Sequence, residues 1–115
     1  LAQRDWLFGN NPWGTSMFMN IPRDGEYPED VHTSTWAMTG IEVPGGLIDG
    51  PVYYSIYKNL SGLELLQPDE FAEFQNNIVV YHDDIGDYST NEPTMDGTAG
   101  AALIMAYFGT PVEKK

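Results

Sequence analysis

The amino-acid sequence predicts a mainly α-helical chain in which long irregular loops separate the helices. Three segments have helical character, namely residues 1–8, 67–77 and 91–109. Glycine and proline interrupt residues 9–51 so often that neither a helical nor a strand period persists there. Such a long irregular stretch is uncommon in a compact domain and usually marks functional loops.

The first helix is predicted at the start of the chain. Residues 1–8 place Leu1, Asp5 and Phe8 on one side, as in the last turns of an amphipathic helix. Gly9 is a typical stop for such a helix. Within the irregular region, residues 36–43 are compatible with a short helix or a strand.

Residues 52–60 combine features of both types of secondary structure. Their β-branched and aromatic side chains favour a strand. The spacing of Val52, Ile56 and Leu60 suits one face of a helix equally well, so periodicity leaves both alternatives open. Residues 78–81 indicate a very short strand or a buried approach to the next loop.

A short helix is predicted for residues 67–77. Pro68 suits the first turn of a helix, where its missing N–H is not needed. Asp69 and Glu70 suit the positive end of the helix dipole.

The last helix is predicted to begin near Asn91, which can act as its cap, with Pro93 in the first turn. Small residues make this helix thin, so that another backbone can pack closely against it. Gly109 is expected to end the helix, and residues 112–115 to form a solvated tail. The apolar face comprises Met95, Ala99, Leu103 and residues 105–108.

Length and charge restrict the class of protein. The 115 residues suffice for one domain or less. Five basic residues oppose seventeen acidic ones, for a formal charge of −12, which argues against a nucleic-acid partner or an anionic membrane surface. A neutral polysaccharide is not repelled. No apolar run approaches the length of about 20 residues that a membrane span needs, so no membrane insertion is expected.

The absence of cysteine excludes disulfides, thiolate metal sites and a cysteine nucleophile. Residues 1–8 contain charged side chains and do not resemble a signal peptide. The chain starts without Met in what looks like the interior of a helix, so we expect a fragment or a processed product.

Residues 81–92 contain four carboxylates, Asp83, Asp84, Asp87 and Glu92. Neighbouring negative charges and partial burial raise the pKa of a carboxyl group, which can then serve as a general acid. Glu92 is best placed for this role at the start of the helix, although a helix N-terminus favours the charged form. A solvated helix cap and a calcium loop with oxygen ligands are the alternatives.

Residues 81–99 resemble the second signature of glycoside hydrolase family nine, the inverting cellulases and related glucanases. Thr98 stands where the family has Asn, and Gly97 where it usually has a Tyr that stacks on substrate. The signature positions that match are Tyr81, Asp83, Tyr88, Glu92, Thr94 and Ala99.

Two further segments follow the family's order. Residues 9–16 resemble its Gly-x-Asn-Pro-x-x-x-Ser segment, and residues 44–51 resemble its Gly-Gly-Pro loop. Between them the family has Pro-His-His-Arg, which holds substrate. Here the best match is Pro28 followed by residues 31–33, in which only His32 survives and the Arg is missing. The resemblance therefore covers residues from about 1 to 109.

The resemblance implies a fold, an (α/α) six-hairpin toroid, of which residues 1–115 would form the C-terminal part of the catalytic domain. This part would be incomplete and inactive alone, and the remainder of the domain would be its partner. Nothing in the chain matches the Asp-x-x-Asp segment that carries the family's catalytic base, so the base is expected upstream. A secreted or periplasmic location is implied as well.

The resemblance also implies roles for particular residues. Glu92 would protonate the leaving glycosidic oxygen of a β-linked glucan, and Asp83 would support the site electrostatically. His32 would hydrogen-bond sugar hydroxyls. Trp13 and Tyr88 would either stack on sugar rings or belong to the core and loop packing.

Other residues and functions complete these expectations. We expect His82 to be exposed and Asp87 to orient the loop through hydrogen bonds to its backbone. No metal ligands and no cofactor are predicted, with structural calcium as an open alternative. The losses at Thr33, Gly97 and Thr98 favour, as a second hypothesis, a glycan-binding or structural relative without catalysis. A calcium-binding loop domain is the third.

Overall fold

The computed structural model describes residues 1–109. Most of them form turns and irregular loops, as predicted, and the regular structure consists of a few helices and one small two-stranded sheet. The toroid stays a prediction. No helix in this part of the chain is both long enough and apolar enough to cross a membrane. The elements are α1 (Ala2–Leu7), α2 (Ser34–Thr39), β1 (Val52–Tyr53), α3 (Tyr54–Tyr57), a 3-10 helix (Ala72–Phe74), β2 (Val79–Val80) and α4 (Met95–Gly109).

Three extended segments, residues 16–19, 46–50 and 90–94, lie side by side and form the framework of the fold. Backbone hydrogen bonds of 2.9–3.0 Å join the first segment to the second and the second to the third. The donors and acceptors are Ile48 N to Met17 O, Met19 N to Gly46 O, Thr94 N to Leu47 O, Asp49 N to Glu92 O, and Gly50 N to Thr90 O. The resembling segments at residues 44–51 and 81–99 are thereby paired, and the first extended segment follows directly on the resembling residues 9–16.

The hydrophobic core lies against this framework. Its buried residues come from distant parts of the sequence, which is how a chain with little regular secondary structure holds together. They are Met17, Met19, Val31, Ile48 and Tyr81, with Trp6, Leu7, Trp13, Trp36, Leu47 and Phe71 packed against them.

Several predicted elements are confirmed. α1 ends before Gly9, whose φ of 103° is accessible mainly to glycine. Within residues 36–43 the helix alternative holds, since α2 covers the first of these residues and ends at Gly40 with φ 64°. Residues 52–60 contain both alternatives, since β1 is followed directly by α3. The strand predicted in residues 78–81 is β2, which pairs with β1 in antiparallel fashion.

The helix predicted for residues 67–77 is wrong, because only the three-residue 3-10 helix forms there. The carboxylate of Asp69 accepts a hydrogen bond from Phe71 N at 2.9 Å and another from Gln75 Nε2 at 3.1 Å. The Gln75 side chain also donates from Nε2 to Tyr81 O and accepts the N–H of Tyr81 at Oε1. These polar side chains satisfy the local backbone in a non-helical arrangement and so compete with a helix.

The predicted start of the last helix is also wrong. α4 begins at Met95 rather than near Asn91, and Thr94 O accepts the N–H of Thr98 at 3.0 Å in the first turn. Pro93 therefore precedes the helix, and the Asn91 side chain does not cap it. The helix extends to Gly109 as predicted, and the expected tail at residues 112–115 lies outside the described residues.

α4 has little contact with the rest of the described chain. Ala101 is its buried residue. Met95 is 89% exposed, Leu103 73% and Tyr107 77%. Large apolar side chains on a helix of a globular protein normally face a core, so this helix presents an uncovered apolar surface.

Asp87 organises the loop between β2 and α4 from a fully buried position. Its Oδ1 accepts hydrogen bonds from Ser89 N and Oγ at 2.8 Å and from Thr90 N at 3.1 Å. Its Oδ2 accepts from Thr90 Oγ1 at 2.9 Å and from His82 Nδ1 at 2.7 Å. The predicted role of Asp87 in orienting the loop agrees with these bonds. The predicted exposure of His82 is wrong, because it is 6% exposed beside this carboxylate.

The pKa of Asp87 moves in the direction opposite to the one predicted for this acidic segment. Burial alone would raise the pKa, but hydrogen bonds from His82, Ser89 and Thr90 stabilise the charged form more strongly and hold the pKa below its usual value. A carboxyl group whose pKa is lowered by folding contributes stability above its unfolded pKa. That contribution is lost as pH falls through the folded pKa.

We therefore expect Asp87→Asn to lower the free energy of unfolding by about 2–4 kcal/mol near neutral pH, because a buried charged acceptor with several donors is lost. Below a pH of about 3.8 the difference from wild type should shrink as the native carboxylate takes up its proton. Urea denaturation between neutral and acidic pH measures the free energy of unfolding of wild type and variant. The exposed Asp24→Asn is the control. A difference that does not change with pH would contradict the assignment.

Gly86 and Gly100 form a matched pair for testing how tightly the loop is packed. A Cβ at Gly86 would lie 1.8 Å from the carbonyl oxygen of Glu64, whereas a Cβ at Gly100 meets nothing within 4 Å. We expect Gly86→Ala to destabilise the protein by about 1–3 kcal/mol through overpacking. Gly100→Ala should stabilise it by about 0.5–1 kcal/mol through helix propensity. Thermal denaturation of both variants checks this, and equal effects would contradict it.

Candidate functional site

Glu92 lies on the extended segment just ahead of α4, where its backbone is held by the hydrogen bond from Asp49 N to Glu92 O at 3.0 Å. The side chain is exposed, so the partial burial predicted for it is wrong. Within residues 1–109 no hydrogen bond engages its carboxyl group. A fixed backbone with an open carboxyl group leaves the side chain available to a ligand.

Asp49 is a neighbouring acid that the sequence analysis missed. Partial burial raises the pKa of Asp49, and the negative charges of Glu92 and Asp96 raise it further. Asp49 lies in the loop at residues 44–51 and is paired with Glu92 through a backbone hydrogen bond. The sequence alone does not predict this pairing.

Asp83 is mostly enclosed, and three donors occupy its carboxylate. Oδ2 accepts the N–H of Glu29 at 2.6 Å, while Oδ1 accepts the N–H of Asp30 at 3.1 Å and Nδ2 of Asn91 at 2.8 Å. Burial raises the pKa of Asp83, and these three hydrogen bonds oppose the rise. The carboxylate therefore ties residues 29–30 to the acidic segment.

His32 is fixed by contacts on both its backbone and its ring. Its N–H donates to Asn91 O at 2.9 Å, and Nδ1 lies 2.5 Å from Ile85 O. Because a carbonyl oxygen only accepts, Nδ1 carries the proton and Nε2 is directed away from this bond. The ring also packs edge-on against Tyr88, with centroids 6.1 Å apart.

Tyr88 is held at its other end as well, since its hydroxyl donates to Ser61 O at 3.0 Å. Glu92, Asp83, His32 and Tyr88 are thus linked to one another through Asn91 and through the contact between the two rings. Four of the five predicted site residues therefore belong to one connected arrangement.

Trp13 has a different setting. Its ring packs edge-on against the core residue Tyr81, with centroids 5.7 Å apart. It lines an apolar groove of about 600 Å³ together with Trp6, Tyr53 and Phe74. Its position is therefore set by the core and not by the cluster around Asn91.

Trp13 also borders a second cavity, of about 540 Å³, whose walls are strongly acidic. Burial raises the pKa of Glu70 in this cavity, and the charges of Asp83, Glu29, Glu26 and Asp30 add to the rise. No group of three or more His, Asp or Glu side chains in residues 1–109 is arranged to hold a metal ion. The calcium alternative stays a prediction.

The sequence analysis assigned Asn91 to a helix cap and so missed its position at the centre of the site. The side chain is fully buried, and Nδ2 donates both to Asp83 and to Asp30 O, the latter at 2.9 Å. Its position directly before Glu92 was the available signal.

The comparisons with known proteins bear on the family of the chain. A family model described as glycosyl hydrolase family 9 matches residues 1–105. Neither the curated proteins nor the solved structures yield a match. The family match spans the three resembling segments and confirms the resemblance found in the sequence. It implies glycosidase activity on glucan-type polysaccharides for the protein that carries this chain. The chain therefore belongs to glycoside hydrolase family 9.

Proposed function

We propose that Glu92 is the general acid in an inverting hydrolysis of β-linked glucan. Its carboxyl proton passes to the glycosidic oxygen as the bond from that oxygen to the anomeric carbon breaks, and the electron pair goes to the oxygen. A water attacks the opposite face of the sugar and gives its proton to a base. The observation that carries the proposal is the exposed Glu92 side chain on a backbone held by the Asp49 hydrogen bond.

The base belongs, in this proposal, to the rest of the catalytic domain. An inverting pair of carboxyl groups is about 6.5–9.5 Å apart, with room for a water between them. Asp83 is unsuited as the base, because two backbone N–H groups and the Asn91 amide already occupy its oxygens. Its role is to support the segment that carries Glu92.

The remainder of the domain would also cover α4. The exposed Met95, Leu103 and Tyr107 support this part of the proposal, since toroids of paired helices bury such faces against neighbouring helices. In this proposal the chain forms the C-terminal part of an (α/α) six-hairpin toroid. A secreted or periplasmic location accords with polymeric substrates, which do not enter cells.

Substrate contacts are proposed for three residues. His32, with Nδ1 committed to Ile85 O, offers Nε2 as an acceptor for a sugar hydroxyl. Tyr88 packs against this ring and Trp13 lines the apolar groove, so that both offer aromatic surface to sugar rings.

A relative that binds glycan without hydrolysis is the second candidate. The departures at Gly97 and Thr98 favour it. A Cβ at Gly97 would lie 2.6 Å from Thr94 Oγ1, which leaves no room for the family's Tyr without movement. Thr98 Oγ1 accepts the N–H of Leu47 at 2.9 Å and so ties α4 to the loop at residues 44–51.

Glu92→Gln tests the two candidates in the protein that contains this chain. Loss of the proton donor should lower turnover of soluble β-glucan by at least about 100-fold, while saccharide binding persists. The exposed Glu73→Gln is the matched control, with unchanged turnover expected. Binding without turnover in wild type and variant alike would instead favour the inactive relative. A calcium-dependent rise in melting temperature without any saccharide effect would favour the calcium loop.

His32→Ala tests the substrate contact. Loss of one hydrogen bond to a sugar hydroxyl, worth about 1.4 kcal/mol, should raise KM about tenfold. Steady-state kinetics on soluble glucan measure this. Tyr88→Phe, which keeps the ring beside His32 and removes only the bond to Ser61 O, should leave KM nearly unchanged. An unchanged KM in His32→Ala would contradict the assignment.

A further inference from the structure

Asn91 has an environment that neither a loop position nor a helix cap requires. It is fully buried, and Nδ2 donates at the same time to Asp83 Oδ1 at 2.8 Å and to Asp30 O at 2.9 Å. Its Oδ1 is buried and has no hydrogen-bond partner among residues 1–109. The side chain therefore acts solely as a double donor in this environment.

The backbone of Asn91 makes a third connection to the same loop. Asn91 O accepts the N–H of His32 at 2.9 Å, and Asn91 N donates to Asp87 O at 3.2 Å. The next residue is Glu92, whose own carbonyl is bonded to Asp49 N. One residue thus joins the loop that carries His32 to the segment that carries Glu92.

We propose that Asn91 is a positioning residue that sets the Glu92 carboxyl group in register with His32, and hence with the sugar that His32 would hold. This inference rests on the proposed function of Glu92 and deepens it. A proton donor must lie within hydrogen-bond reach of the leaving oxygen, and displacement of about 1 Å can lower a rate about 100-fold. The Asn91 amide holds the loop at residues 29–32 against such a displacement, directly through Asp30 O and indirectly through the Asp83 carboxylate.

The leaving group distinguishes positioning of the acid from general damage. A phenyl leaving group needs a proton as it departs, whereas dinitrophenolate is stable without one. A variant that misplaces the acid should therefore act poorly on the first substrate and nearly normally on the second. A variant with a damaged fold or weakened substrate binding should be impaired equally on both.

The experiment uses the whole protein with phenyl and dinitrophenyl β-cellobiosides and compares wild type with Asn91→Ala and Asn91→Asp. Both variants lose the two Nδ2 donors, and the aspartate keeps the size of the side chain. We expect kcat on the phenyl substrate to fall about 10- to 100-fold, and kcat on the dinitrophenyl substrate to fall less than about threefold. Asn59→Ala, which removes an exposed amide bonded to Ser55 O, is the control and should change neither rate.

Equal losses on both substrates would overturn the role of Asn91, and so would unfolding of both variants in thermal denaturation. Glu92→Gln, measured on the same pair of substrates, separates this result from a failure of the proposed function. If that variant shows no dependence on the leaving group, then Glu92 is not the acid. If it shows the dependence while the Asn91 variants do not, Glu92 keeps its role and Asn91 loses the one proposed.

Discussion

The structure depends on the hydrogen bonds along both sides of residues 90–94. On one side, residues 47–50 bond to this segment through their backbones. On the other side, His32 N and the Asp83–Asn91 pair attach the loop at residues 29–32. A chain with so little regular secondary structure cannot rely on long helices or wide sheets to hold a site. Backbone pairing and buried polar side chains such as Asp83, Asp87 and Asn91 take their place, because a buried hydrogen bond is strong where water is excluded.

Three carboxyl groups close together in the sequence have three different environments. Asp87 is buried, and its several donors lower its pKa. Asp83 is enclosed and has fewer donors, so burial prevails and its pKa is raised. Glu92 is exposed and has no hydrogen-bonded partner for its carboxyl group in the described part of the chain. The differences follow from the balance of donors against desolvation, and the spacing of acidic residues along the chain does not encode that balance.

The difference between local sequence signals and contacts made only in the folded chain also explains which predictions succeeded. Local signals were sufficient where one residue decides the backbone, as at Gly9, which ends α1 with positive φ as predicted. They failed at residues 67–77, because Asp69 bonds the local backbone at Phe71 and Gln75 bonds Tyr81 in the next segment, and neither arrangement is helical. They failed again at Asn91, whose side chain donates to Asp83 in the same segment and to Asp30, which is far away in sequence. The family signature located the site, but the contacts across it depend on pairs far apart in sequence.

The uncovered side of α4 has a practical consequence for biochemical work. Leu103, Ile104, Tyr107 and Phe108 are each about half exposed or more. A polypeptide that consisted of this chain alone would expose that surface to water. Apolar patches of this kind favour self-association. Its high negative charge would oppose clustering, and more weakly as salt screens the repulsion. Light scattering at several ionic strengths would therefore show, without any substrate, whether the apolar face of α4 is covered or free to self-associate.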